Sequence, residues 1–155
     1  LDAALERTEK ELTVLRLMYA VSLRLGDEMR VASDSQMDQH QLLGFTLINR
    51  FAGLTQSDLA EQLHRSAVHV SRLVDELEAQ GLVERRAHRF DRRSKDLYPT
   101  EKGAVIYARM RERSVQLAAE VFRETPQERL EILSQQAVRI SDRLHLALTS
   151  VAPGL

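Results

Sequence analysis

The chain has no cysteine among its 155 residues. That excludes disulfides, thiolate metal ligands and any thiol-based oxidation switch. It has no tryptophan and only three prolines and six glycines, and it carries no low-complexity tract or internal repeat. No apolar run approaches the ~18 residues a membrane span needs. No positively charged stretch leading into an apolar one opens the chain, so the expected location is the cytoplasm and no membrane partner is expected. The first residue is Leu1 rather than methionine, and the chain is read as open to an upstream segment. Neither sign of charge prevails, with 22 Lys+Arg against 23 Asp+Glu. Recognisable catalytic patterns are also missing. There is no glycine-rich phosphate loop, no nucleophile elbow and no HExxH pair among His40, His64, His69, His88 and His145. The chain is therefore expected to be no enzyme, with no cofactor and no metal.

What is present is a patterned globular chain, 43% hydrophobic and 29% charged, of a size that supports one domain with its own core. The most specific stretch runs from Leu54 to Gly103. Thr55 and Asp58 approximate a capping box at a helix start, and Leu59, Ala60 and Leu63 supply that helix's inner face. His64-Arg65 then turns the chain into Ser66, a good N-cap because its hydroxyl can accept from an orphan backbone N–H. Val70, Leu73, Val74 and Leu77 follow at i, i+3, i+4 and i+7, one stripe facing a core. At about 100° per residue, Val68 and Arg72 point almost directly away from it, flanked by His69 and Ser71, with Ala67 in the first turn. An apolar Val68 on an outward face suits thymine methyls in a major groove, and Arg72 suits guanine O6/N7 or a phosphate. An ordinary surface with one stray valine fits the same spacing. Asp75, Glu76 and Glu78 lie in the C-terminal half and would repel phosphates, so the N-terminal half is the docking end. Gly81 is placed for a left-handed C-cap.

Next comes an arginine-rich stretch of hairpin length. Arg85, Arg86, Arg89, Arg92, Arg93 and Lys95 share it with a single acid between Arg85 and Lys95, Asp91. In a nearly neutral chain this positive charge is local, as an electrostatic footprint for phosphates would be. A charge run by itself is usually a solvated loop, but here it directly follows a helix-turn-helix, where a basic wing would sit.

These words resemble the MarR family, the multiple-antibiotic-resistance regulators. The matching segments are LTQSDLAEQL, VSRLVDELEAQGLVER, DRRSK and TEKG, tight over roughly fifty residues and loose elsewhere. The resemblance implies a homodimer of winged helix-turn-helix lobes joined by terminal helices. It implies binding to pseudo-palindromic double-stranded operators, usually as a repressor relieved by a small ligand or an oxidant. It also places the family's wing motif, Asp-x-Arg, on Asp91 and Arg93. The arginine would enter the minor groove, Asp91 would orient it, and Arg92 between them could share the role. A small-molecule effector would lie between the dimer helices and the lobe, on helices that carry Arg16, Met18, Tyr19, His40 and Phe45. Three departures bear on the wing: Pro99 where family members commonly have leucine, the acid Asp96 in the return strand, and the short Ala52-Gly53 segment before Leu54. Pro99 removes a backbone donor, so that edge of the hairpin is expected to pair less completely.

The flanks read as long helices. Leu5, Leu12 and Tyr19 repeat every seven residues with Leu15 and Ser22 at companion positions, a short seam for a partner helix. Leu17, Met18, Val21, Leu23 and Leu25 add apolar surface on other sides. After a polar break at Ala32-Ser33-Asp34-Ser35, a second helix carries Leu42, Leu43, Phe45, Leu47, Ile48 and Phe51. Thr100 can cap a helix to about Glu124. Thr125-Pro126-Gln127-Glu128 reads as a capping box with proline at the first helical position, followed by Leu130, Leu133, Ala137, Ile140, Leu144 and Leu148.

The expected fold is mainly α: a winged helix-turn-helix with a small, two-stranded β wing and long N- and C-terminal dimerisation helices. Within a single domain, 1–155, residues 54–103 form the DNA-binding lobe, and 1–31 and 104–150 the dimerisation helices. The expected DNA-binding residues are Ser66, Ala67, Val68, His69, Ser71, Arg72, Arg85, Arg86, Arg89, Asp91, Arg92, Arg93 and Lys95. The expected function is that of a dimeric, ligand-responsive transcription repressor. The alternative is a winged-helix protein-interaction module without DNA binding, for which so basic a wing has little use.

Overall fold

The computed structural model describes residues 2–89 and 94–144. Along the chain lie α1 (Asp2–Ser33), α2 (Gln39–Arg50), β1 (Leu54–Thr55), α3 (Gln56–Gln62), α4 (Ala67–Ala79), β2 (Val83–Ala87), β3 (Lys95–Pro99), α5 (Glu101–Val121) and α6 (Gln127–Arg143). The four-residue apolar stripe of α4 is buried in full. It packs with Leu42, Phe45 and Ile48 of α2, Leu59 of α3, and Leu82, Val83 and Leu97 around the sheet. Burying such side chains stabilises by about 1.5–3 kcal/mol each, which fixes α4 to the lobe and leaves its opposite face outward. Helices α2 and α4 approach closely at Gly44, where a Cβ would lie 3.0 Å from Leu73 Cδ2.

The helix ends follow local chemistry. Thr55 and Asp58 form a reciprocal capping box at the start of α3. Asp38 and Gln41 form another at the start of α2. Thr100 caps α5 by accepting from Gly103 N–H, and its own hydroxyl donates to Gly81 O at 2.7 Å. Gly81 has φ +70°, the left-handed conformation expected just past α4. At α6 the outcome differs from expectation. The N-cap is Pro126, with no side-chain cap bond. Thr125 is instead drawn into the preceding turn, its N–H donating to Phe122 O at 2.9 Å, so the anticipated box does not form. Helix α1 also runs two residues past the expected 31, and α5 stops at Val121 rather than near Glu124.

The sheet has three antiparallel strands in the order β1-β3-β2, one more than the two-stranded wing expected. Strand β1 contributes two residues, Leu54 opposite Leu97 and Thr55 opposite Asp96. Gly53, at φ +92°, starts this pairing by donating to Leu97 O at 2.8 Å. So short a strand exists only because β3 offers a free edge. Pro99 is the last residue of β3, opposite Val83. Its missing N–H is bypassed, since Thr100 N–H donates to Leu82 O at 3.2 Å.

Helix α1 packs on α5 through its C-terminal third. Arg113 donates from Nε and Nη2 to Glu28 Oε2 at 2.8 and 2.7 Å. That bond holds the Glu28 carboxyl below its usual range. Ser114 Oγ lies 3.0 Å from Met29 Sδ beside it. Away from this contact Leu5, Leu12, Leu15, Leu17, Tyr19 and Val21 of α1 are exposed. Among its described residues α6 buries none, and Ile132, Leu133, Val138 and the C-cap Leu144 face outward. Leu148 and His145 lie outside the described residues. Among the described residues no helix is long and apolar enough to cross a membrane.

Candidate nucleic-acid interface

The turn before α4 is tight because His64 adopts φ +50° and Arg65 N–H reaches back to Ala60 O at 3.0 Å. Ser66 then caps α4, its Oγ accepting from His69 N–H at 3.3 Å. From this start Ser66, Ala67, Val68, His69 and Arg72 are all exposed, and Ser71 is half-buried. Val68 is 81% exposed, an apolar side chain that the described residues leave uncovered. The Arg72 side chain is 83% exposed and donates from Nε to Glu76 Oε1 at 3.0 Å.

Beside this face lies a shallow polar cleft of about 170 Å³ between α2 and α4, lined by Asp38, His40, Gln41, His69, Arg72, Leu73 and Glu76. The His40 and His69 rings meet edge to face at 5.9 Å. His40 Nε2 lies 2.6 Å from Arg65 Nη2, and since a guanidinium only donates, the histidine nitrogen accepts. Sequence reading did not include His40, Arg65, Gln41 or Glu76 in this surface. Two of its signals were present, the i,i+4 pairing of Arg72 with Glu76 and the Asp-x-x-Gln box at residues 38–41. The packing of α2 across α4 was not.

The basic residues of the wing fall into distinct groups. Arg85 departs from expectation. Its Nη1 pairs with Asp75 at 2.8 Å and with Glu78, its Nε donates to Gln56 at 3.1 Å and its Nη2 to Ser71 O at 3.0 Å. Only 18% of its side chain is exposed. This arginine is committed inside the lobe, tying β2 to α3 and α4, and it pairs with Asp75 and Glu78, two of the three α4 acids that would repel phosphate. It is therefore withdrawn from the candidate DNA contacts. Arg86 is exposed, stacked at 4.3 Å over the Tyr98 ring and paired with Glu84. Arg89 and Lys95 are exposed. Asp96, read as a deterrent to phosphate, has its Oδ1 2.6 Å from His88 Nδ1 and is mostly covered. Asp91, Arg92 and Arg93 lie outside the described residues. Of the residues considered for an effector cavity, Phe45 is fully buried core, and Met18 and Tyr19 are exposed on α1.

Residues 35–94, which run from before α2 to the residue before β3, match the family model described as the MarR family. Over that segment the chain is similar to the MarR family. The chain is 28% identical over 103 residues to the uncharacterised HTH-type transcriptional regulator YybA of Bacillus subtilis, across 64% of this chain and 69% of that one. Its fold is similar to Streptococcus pneumoniae FabT in complex with DNA, with a TM-score of 0.75 at 18% identity over 90% of this chain and 96% of that one. It is also similar to a putative MarR-family regulator from Listeria monocytogenes complexed with 26mer DNA, with a TM-score of 0.73 at 19% identity over 84% and 87%. The Bacillus subtilis relative and the Listeria monocytogenes protein are both described as transcriptional regulators.

Proposed function

We propose that the chain is a MarR-family transcription regulator, a cytoplasmic two-fold dimer that binds a pseudo-palindromic DNA operator and represses transcription until a small molecule releases it. The observation that carries the DNA reading is the outward face of α4, where exposed Val68, His69 and Arg72 stand on a helix whose opposite stripe is buried. Of the acids in its C-terminal half, Asp75 and Glu78 are paired with Arg85. Residues 54–103 form the DNA-binding lobe in this reading. Ser66, Ala67, Val68, His69, Ser71 and Arg72 enter the major groove, and Arg86, Arg89, Lys95, Arg92 and Arg93 track phosphates and the minor groove. Asp91 orients the arginine.

The dimer reading is supported by the apolar surface left open on α1 and α6. One lobe cannot cover it, so residues 1–31 and 104–150 are assigned to the interface. The repressor and effector parts rest on the resemblance to the MarR family. With two recognition helices related by a two-fold, half-sites should lie ~10 base pairs apart. Sedimentation equilibrium should give a dimer at micromolar concentration, and footprinting should give two symmetric half-sites. A monomer, or one asymmetric half-site, would refute the arrangement. Failure to protect any duplex would favour the protein-interaction module.

A further inference from the structure

On the proposed DNA-reading face, Arg72 has its orientation set from another helix. Its Nε donates to Glu76 Oε1 at 3.0 Å. The second oxygen of that carboxylate, Oε2, accepts from Gln41 Nε2 at 2.5 Å. Gln41 is itself held by the α2 capping box, since its Oε1 accepts from Asp38 N–H and its N–H donates to Asp38 Oδ1, both at 2.8 Å. A continuous line of bonds therefore runs from the first turn of α2 to the guanidinium on α4. The two helices are packed together by the core beneath, so the backbone at each end of the line is held relative to the other.

A guanidinium is planar, with five donors in a fixed fork. With Nε engaged, the two Nη groups form the outward edge. Guanine is the base whose major-groove edge presents two acceptors side by side, O6 and N7, whereas adenine pairs its N7 acceptor with an N6 donor. A phosphate contact tolerates many orientations and gains little from such a brace. The acid that supplies the brace also weakens attraction to the backbone, so affinity is given up where orientation is gained. We infer that Arg72 reads a guanine in the operator through its two Nη groups, and that Glu76 and Gln41 are the positioning residues that present them. This inference rests on the DNA-reading role proposed for α4.

The test uses the full chain and an operator selected by it from random duplex DNA, with copies in which one guanine of one half-site is replaced by adenine. The wild type should prefer guanine at one position by about 5- to 150-fold, and Arg72→Ala should lose that preference there alone. Glu76→Ala should reduce the same preference by about two- to fivefold, while affinity for unrelated duplex holds or rises. Misfolding would lower both, so the opposed signs exclude a merely structural role. Gln41→Ala should act in the same direction more weakly, and Glu76→Ala should add nothing at that position once Arg72 is alanine. If Glu76→Ala does not fold, Glu76→Gln takes its place and should also lower the guanine preference.

An unchanged preference in the Glu76 variant, with the Arg72→Ala loss intact, would overturn the positioning role and leave the DNA reading standing. Arg72→Ala that keeps every base preference but lowers the salt slope would make Arg72 a phosphate contact and overturn the inference. A wild type that selects no duplex would overturn both.

Discussion

Arg85→Met would remove the guanidinium that joins β2 to α4 while keeping an unbranched side chain of comparable reach. Four partners lose a donor: Gln56 Oε1, Ser71 O, Asp75 and Glu78. Breaking a fully buried charged pair costs about 3–5 kcal/mol. Here Arg85 is 18% exposed, but Glu78 is 33% and Asp75 64% exposed, so water takes up part of the released charge. Asp75 alone should then matter by less than about 1 kcal/mol. Glu78 and the Ser71 carbonyl carry most of the cost. The sum expected is about 2–3 kcal/mol, or a melting shift of roughly 4–12 °C for a chain of this size. Urea unfolding at one fixed protein concentration is the assay, because dimerisation would couple to the midpoint. Glu78→Gln placed on Arg85→Met should recover part of the loss, since it removes a carboxylate left without its counter-charge. Operator titrations at several salt concentrations should give Arg85→Met the wild-type slope of log K against log salt. A stability change within about 0.5 kcal/mol, together with a slope lower by about one, would refute the reasoning and return Arg85 to the DNA contacts.

Arg93→Ala should weaken binding to all duplexes and lower the salt slope by about 0.9, the value of one released counterion, with Asp91→Ala a milder version; an unchanged slope would remove the wing from the interface. Gly103→Ala should destabilise by about 1–3 kcal/mol, because a Cβ there would clash with the Leu82 carbonyl oxygen; thermal melts check it. Glu28 titrates below its ordinary value of 4.5 because Arg113 donates to it. A lowered carboxylate stabilises the fold above the ordinary carboxylate range and loses that contribution as pH falls through its folded value. Urea midpoints followed downward from neutral pH should therefore drop below the ordinary value, and Arg113→Met should flatten that part of the curve.

The helix-turn-helix was legible because its determinants are local. Thr55, Asp58 and Ser66 act on backbone groups within three residues, and Val70, Leu73, Val74 and Leu77 need only helical spacing to define a buried side. The box read at Thr125-Pro126-Gln127-Glu128 failed although its pattern is equally local, because the Thr125 N–H had a competing partner in Phe122 O at the end of α5. The third strand was also out of reach, since two residues with a glycine before them carry no periodicity.

The sequence by itself determined which face of α4 is covered and which is bare, where α3 and α4 start, and that positive charge gathers after α4. Each of these depends on side-chain type at short spacing, and short spacing is visible along a chain. Only the tertiary structure decided what each charged group does. Arg85 and Arg86 are neighbours in sequence with identical chemistry, yet strand alternation sends one into a cluster with Asp75 and Glu78 and the other out over Tyr98. Arg72 gained a brace from Gln41, 31 positions before it, because the core packs α2 across α4. An ion pair is worth little or much according to the solvent and partners around it, and those are set by packing between elements distant along the chain.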